Sequence, residues 1–292
     1  METSELLKKV RKIEIKTRGL SNQIFSGEYH SAFKGRGMTF SEVREYQPGD
    51  AIRSIDWNVT ARLNSPYVKV FEEEREITMM LLIDLSGSQD FGTKGMLKRD
   101  MVTEVAAVLA FSAVQNNDKI GVILFTDKIE KFIPPKKGKS HILRIIRELI
   151  NFEPESKGTD LNEALRFFNN VTKKRSIAFL ISDLMDDQSY EKALKIASRK
   201  HDLVALVATD IAEKEIPDLG VIPIKDTETG KLMWVDTSNT KVRHHLKSKY
   251  MEQLKQTELL LRKSGIDYTH LHTNMSYVKP LMQLFKKRGA KR

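Results

Sequence analysis

Over residues 4–25, Leu6, Val10, Ile13 and Leu20 fall on one face at helical spacing, and the pattern predicts an amphipathic helix. Residues 26–65 follow no period. They mix turn formers and charges with Tyr29, Phe33, Phe40, Tyr46 and Trp57. So many aromatics argue against disorder, so the segment reads as an ordered but irregular lobe packed on the main domain. Residues 67–74, YVKVFEEE, read as a strand with Val68, Val70 and Glu72 on one side. From Glu76 the pattern changes. Continuous apolar runs of strand length at 77–84, 119–127, 176–183 and 202–210 alternate with helical periods at 97–115, 140–150, 160–171 and 188–199. A short edge strand is expected at 128–134 and a hairpin at 220–236, turning at Thr229-Gly230. A long helix at 240–264, a strand at 266–273 and a helix at 276–288 complete the chain.

Buried strands alternating with helices predict an α/β fold: a doubly wound, mostly parallel sheet covered on both faces. The expected division is an N-terminal helix and accessory lobe at 1–75, then an α/β domain at 76–292 with a hairpin insertion and basic C-terminal helices. Such sheets bind ligands beyond the carboxyl ends of their strands. Asp84, Asp127 and Asp183 each end a predicted strand, so chemistry is expected there.

Composition narrows the chemistry. The 292 residues contain no cysteine, which excludes disulfides, thiolate metal sites and a cysteine nucleophile. No run approaches the roughly 18 apolar residues of a membrane span, and the N-terminus lacks a signal peptide's apolar stretch. The expected location is the cytoplasm. Net charge is +10, which opens nucleic acid, anionic membrane and acidic protein as partners. That excess is local: residues 241–292 carry 13 of the 49 basic side chains and 3 of the 39 acidic ones. It suggests a solvated helix face and frayed end, or an anionic-surface contact through 241–292.

The sharpest motif is Asp84-Leu85-Ser86-Gly87-Ser88, a D-x-S-x-S at the end of the first core strand. Alternate residues of an extended turn can aim one carboxylate and two hydroxyls at one spot. Those are hard oxygen donors, suited to Mg²⁺, Mn²⁺ or Ca²⁺. Two further candidates follow: Thr159 in Gly158-Thr159-Asp160, which opens a helix, and Asp183 in Ser182-Asp183, which ends a strand. Asp84 and Asp183 together balance a divalent ion, leaving a Lewis-acidic position that suits a carboxylate from another molecule. The same Ser and Asp residues can instead cap backbone N–H groups at a strand-to-helix turn.

This order, D-x-S-x-S, then G-T-D before a helix, then S-D ending a strand, resembles the von Willebrand factor A domain across about residues 76–210. The resemblance implies a metal-ion-dependent adhesion site with ligands Asp84, Ser86, Ser88, Thr159 and Asp183. The last element departs from the family's usual T-D-G, reading Ser182-Asp183-Leu184, so the loop after Asp183 is expected to sit differently. The preceding stretch, GRGMTFSEVREYQPGDAIRSIDWNVTARLNSPYVKVFEEERE, resembles the signature of the bacterial domain-of-unknown-function family 58 (DUF58). That family joins such a lobe to a von Willebrand A-like domain and is associated with MoxR-type AAA+ ATPases. The resemblance implies a non-enzymatic, metal-dependent interaction module, an adaptor whose partner is a MoxR-type ATPase or its client and supplies a Glu or Asp carboxylate.

A Mg²⁺-dependent phosphoester hydrolase fits metal at a strand end, but a dehalogenase-type nucleophile site reads D-x-D and position 86 is Ser. Specific nucleic-acid binding is not expected, since aromatics do not interleave with a basic strand face. Gly138-Lys139-Ser140 is no Walker A loop, because Ile133 stands where its first glycine belongs. In the signature stretch, Gly49-Asp50 reads as a turn, Trp57 as a packing residue, and Asp56 as the partner of Arg53 or Arg62. His270 and His272 should share a strand face, in a structural or surface role.

Overall fold

The computed structural model describes residues 11–17, 19–21, 37–74, 77–93, 96–186, 188–225 and 230–290. It contains two compact units, one of residues 33–77 and one of residues 1–32 with 78–292. This division differs from the expected one in where the N-terminal helix belongs. The described part of that helix, 11–17 and 19–21, is tied to the larger unit. Lys16 pairs with Glu104 at 2.6 Å, Glu14 with Lys139 at 2.7 Å, and Thr17 and Ser21 are buried. Leu6 and Val10, expected on its apolar face, lie outside the described residues.

The smaller unit is more regular than its sequence suggests. Strand β1 (Gly37–Glu45) pairs antiparallel with β2 (Tyr67–Glu74), with a bulge between Phe40 and Glu42. Helix α1 (Trp57–Leu63) lies between them in sequence. Asp56 caps α1, accepting from the N–H groups of Asn58 (3.0 Å) and Val59 (3.3 Å), and its ionic partner is Lys69 at 3.6 Å. The expected pairing of Asp56 with Arg53 or Arg62 is therefore corrected. Trp57 is also corrected: it is the first residue of α1 and 66% exposed, so it does not pack. The Gly49-Asp50 turn forms, with Gly49 at φ 110°. Arg44 clasps Asp50 through two bonds of 2.8 and 2.7 Å, and the guanidinium holds that carboxyl below its ordinary value. A planar fork matched to a carboxylate fixes the turn against β1.

The larger unit is built on six strands: β3 (Thr78–Asp84), β4 (Lys119–Phe125), β5 (Ile129–Lys136), β6 (Ile177–Ser182), β7 (Asp202–Thr209) and β10 (Asp267–His272). Their order is β10-β7-β6-β3-β4-β5, parallel except for the edge strand β5. The continuous apolar runs fit this arrangement, because a central parallel strand is covered on both sides. Met80, Leu82, Phe125 and Leu180 face a core shared with α4 (Leu161–Val171), α5 (Glu191–Lys200) and Leu261 of α7 (Thr240–Lys263). On the other face, Phe179 lies 6.2 Å from Phe285 of α8 (Val278–Ala290). Helices α2 (Lys98–Gln115) and α3 (Lys139–Asn151) pack on each other.

The chain runs from β3 outward to β4 on one side and from β6 outward to β7 on the other. The sheet's topological switch therefore lies between β3 and β6, and the crevice at their carboxyl ends is where a doubly wound sheet binds ligands.

Two smaller features complete the fold. Strands β8 (Val221–Lys225) and β9 (Leu232–Asp236) form the expected antiparallel hairpin. Thr229 of its turn lies outside the described residues, and Gly230 has φ 71°. Arg288, read from sequence as part of a frayed tail, is buried and bonds Asp202 at 2.6 Å and Asp267 at 2.9 Å. The last helix is thus anchored through the charge that looked solvated.

Gly121 lies at a close backbone approach between β4 and β5. A Cβ there would stand 2.8 Å from Met80 Sδ and 2.9 Å from both the Ile133 carbonyl oxygen and the Pro135 nitrogen. Two of those atoms are backbone of β5, where the register with β4 shifts. Gly121→Ala is expected to push β5 outward and cost about 1–3 kcal/mol, measured by denaturant unfolding. A loss below about 0.5 kcal/mol would mean that the edge strand yields freely.

Candidate metal centre at the sheet switch point

Asp84 is the last residue of β3 and is fully buried. Its Oδ1 accepts from the Ser86 N–H at 2.8 Å and its Oδ2 from the Ser182 hydroxyl at 2.6 Å. The first bond folds the chain into a tight turn directly after the strand. The second crosses to the neighbouring strand β6. Ser86 and Ser88 then place their hydroxyl oxygens 3.1 Å apart. Ser86 occupies the N-cap position of the 3₁₀ turn Gly87–Asp90 without making a side-chain cap bond, and the N-cap of α2 is Leu97. The capping alternative thus does not describe these two hydroxyls. It does describe Asp160, which accepts from the Glu163 N–H at 2.8 Å and caps α4.

The loop bearing Thr159 is tied to the same place. The Gly87 N–H donates to the Lys157 carbonyl at 2.8 Å, and the Asp160 N–H to the Thr126 carbonyl at 3.0 Å. Gly158 is packed so closely that a Cβ would meet Asp127 at 3.3 Å. Asp127 is therefore a wall of this loop. On the far side, Asp186 accepts from the Leu161 N–H at 2.9 Å, which pins the segment after β6 to the start of α4. Three loops from different parts of the sequence thus carry Asp84, Ser86, Ser88, Thr159 and Asp183 to one end of the sheet. The departure at Leu184 is absorbed locally. Leu184 adopts a left-handed φ of 58°, a conformation that glycine enters most readily, and it is buried. Its N–H donates to Ser182 Oγ at 2.9 Å and its carbonyl accepts from the Tyr190 hydroxyl at 3.1 Å.

Electrostatics separate the two acids. Burial, reinforced by the nearby Asp183 charge, pushes the Asp84 carboxyl up to about 7, against the opposing hydrogen bonds from Ser182 and Ser86. Asp183 has a different neighbour. Its Oδ2 accepts from the Lys98 ammonium at 2.9 Å and its Oδ1 from the Met185 N–H at 3.2 Å. Lys98 is 0% exposed and also reaches Glu213 at 2.5 Å. Burial alone would lower the Lys98 ammonium, but Asp183 and Glu213 outweigh it and hold it above its ordinary value.

Glu213 sits on the one-turn helix α6 (Ile211–Lys214), where it forms a capping box with Asp210. Asp210 accepts from the Thr93 N–H at 2.9 Å and hydroxyl at 2.7 Å, and from the Thr273 hydroxyl. The carboxylates thus brace the loop after the D-x-S-x-S turn. None of Lys98, Glu213 and Asp210 was singled out in the sequence. Asp210 carried a usable signal, since it too follows directly on a buried strand. Lys98 carried none.

The donor chemistry fits a hard divalent cation in part. Asp84 supplies a buried carboxylate that is repelled by a second acid, and Ser86, Ser88 and Thr159 supply hydroxyls. Gln89, the next residue after Ser88, is buried with neither amide atom bonded among the described residues. Such a group asks for a partner. Asp183 fits less well, because an ammonium already holds it. Elsewhere, a serine–histidine pair joins Ser176 Oγ and His201 Nδ1 at 3.0 Å, but it is enclosed at the opposite end of β6. Burial pushes His201 down to about 4, and its ring packs tilted against Phe168 at 4.4 Å, so the pair is structural. His270 and His272 do share a face, stacked at 6.3 Å, with His270 on Glu258 and His272 on Thr209.

The family described as protein of unknown function DUF58 matches residues 42–256. An uncharacterized protein of Mycobacterium tuberculosis is 27% identical over 232 residues, which are 79% of this chain and 73% of its own length. Among solved structures, BatB from Bacteroides thetaiotaomicron is 17% identical with a TM-score of 0.49, over 74% of this chain and all of that one. The von Willebrand A domain of SpRpn10 is 9% identical with a TM-score of 0.38, over 73% and 95% of the two chains.

Proposed function

This chain belongs to the DUF58 family, whose function is not known, and from that premise we propose that it is a protein-binding module with a divalent cation at its D-x-S-x-S site. One observation carries the reading. Two loops far apart in sequence, the turn after β3 with Asp84, Ser86 and Ser88 and the loop with Thr159, are tied together by the Gly87–Lys157 bond at the end of the sheet. In this reading Asp84, Ser86, Ser88 and Thr159 hold the ion, with Mg²⁺ the first candidate and Mn²⁺ or Ca²⁺ as substitutes. When bound, the ion supplies a Lewis-acidic position that accepts a Glu or Asp carboxylate from a partner protein.

The chain's own residues do the rest. Ser182 orients Asp84, the Gly87–Lys157 bond holds the Thr159 loop in place, and burial keeps water from competing for Asp84. The groups gathered here are donors for a cation and a guest carboxylate, which favours binding over turnover. The family resemblance adds the partner, a MoxR-type AAA+ ATPase or one of its clients, and an adaptor role in assembling or maturing that client in the cytoplasm. Among the described residues no helix is long and apolar enough to cross a membrane.

The test is co-purification of the tagged full chain with its MoxR-type partner, in Mg²⁺ and in chelator, alongside Asp84→Ala. Capture is expected to disappear with chelator and with the substitution. Capture that survives both overturns the cation-bridged reading.

A further inference from the structure

The ligand set implied by the resemblance and the geometry disagree at Asp183. Both of its carboxylate oxygens are bonded from within the chain, one by Lys98 Nζ at 2.9 Å and one by the Met185 N–H at 3.2 Å. Lys98 has no exposed surface and is held on its other side by Glu213 at 2.5 Å. Moving such an ammonium away would leave buried acids unpaired, which is costly, so the bond to Asp183 persists. Matching a divalent ion against Asp84 and Asp183 therefore counts Asp183 twice. Its two oxygens are already engaged, one of them by an ammonium that it shares with Glu213, and Asp84 is the acid left for the ion.

We propose that Lys98 is the resident cation of Asp183. Its ammonium withdraws that carboxylate from the cation site, which then consists of Asp84, Ser86, Ser88 and Thr159. This rests on the cation-binding reading above and adds its regulation. With one carboxylate at hand, the site holds a divalent ion weakly by itself and firmly only when a partner brings the second. Lys98 is thus a positioning residue that makes cation and partner binding depend on each other.

Glu213 makes a clean test available. Asp84, Asp183, Glu213 and Lys98 together carry a formal charge of −2. Lys98→Met with Glu213→Gln also leaves −2, from Asp84 and Asp183, so the net charge is kept while Asp183 is released. Mn²⁺ binding to the full chain is measured by calorimetry and by electron paramagnetic resonance, without partner. The double variant is expected to bind Mn²⁺ roughly tenfold or more tightly than the native chain, because it frees a second carboxylate for the ion; the size is that of changes in groups bonded to metal ligands, which ordinarily weaken binding. Adding Asp183→Asn to the double variant should remove the gain. Lys98→Gln with Glu213→Gln, which keeps a hydrogen-bond donor against Asp183, is the second variant should the first not fold, with a smaller gain expected.

Native-like or weaker affinity in the folded double variant overturns the role of Lys98 while leaving the cation site standing. Mn²⁺ bound by neither protein overturns both readings. Mn²⁺ bound by the double variant alone supports Lys98 as the resident cation and overturns the native chain as an independent cation binder.

Discussion

Lys98→Met alone is expected to lower the unfolding free energy by about 3–5 kcal/mol at neutral pH, the range seen when one member of a buried ion set is removed. The methionine fills most of the space, so the loss comes from charge. Asp183 and Glu213 lose their shared counterion, and both are largely enclosed, with side chains 6% and 20% exposed. Glu213 already sits above its ordinary value because burial opposes its ionisation, and without Lys98 it rises further. The result reaches beyond the pair. Glu213 completes the capping box with Asp210, and Asp210 holds Thr93 and Thr273. Denaturant unfolding of the single variant and of Lys98→Met/Asp183→Asn/Glu213→Gln separates the causes. The triple variant is expected to recover most of the loss, since a neutralised buried set is often no less stable than the ionised one. A single variant within about 1 kcal/mol of the native chain would show that the acids re-pair or hydrate without Lys98.

Asp84→Asn should have the opposite sign. Removing a residue at the centre of the site is expected to stabilise the protein by about 2–4 kcal/mol at pH 8 in chelator, while abolishing cation-dependent binding. Asn keeps the shape, accepts from the Ser86 N–H and can donate to Ser182. The sign follows from linkage. The folded carboxyl ionises near 7, above its value of 3.8 in the unfolded chain, because burial and Asp183 disfavour its charge. The folded state therefore holds a proton that the unfolded state has released. Stability from this group is fully present below the unfolded value and is lost as pH rises towards 7. Asn does not titrate. The difference between variant and native chain should thus be small near pH 4 and grow to its full size by pH 8. A difference that stays flat with pH would mean that Asp84 is not ionised against its surroundings in the folded protein. A site residue whose removal stabilises the fold is maintained for binding, and the two effects together mark Asp84 as functional.

Much of this was legible in the sequence. The apolar runs at 77–84, 119–127, 176–183 and 202–210 have strand length and are bounded by helical periods, and all four became central or near-central parallel strands. Strand-length burial on both faces leaves few other solutions. The lobe at 26–65 is less legible: β1, with its bulge, and the short α1 show too little of either period to stand out from an irregular segment. Trp57 and Arg288 were misplaced for a common reason. An aromatic is not buried unless something covers it, and an arginine near a chain end is buried when two acids from distant strands meet it.

The alternation of apolar runs with helical periods determined the fold class, and the residue types and chain order of Asp84, Ser86, Ser88, Thr159 and Asp183 indicated the end of the sheet to inspect and the hard-oxygen character of the donors. Which of those acids is free for an outside cation is a tertiary property. Lys98 lies 85 residues from Asp183 and 115 from Glu213 along the chain, and they meet because α2 begins beside the carboxyl ends of β6 and β7. A motif records which side chains a local turn can aim. Charge balance in a buried site depends on every ion within a few ångströms, and only the folded chain fixes those distances.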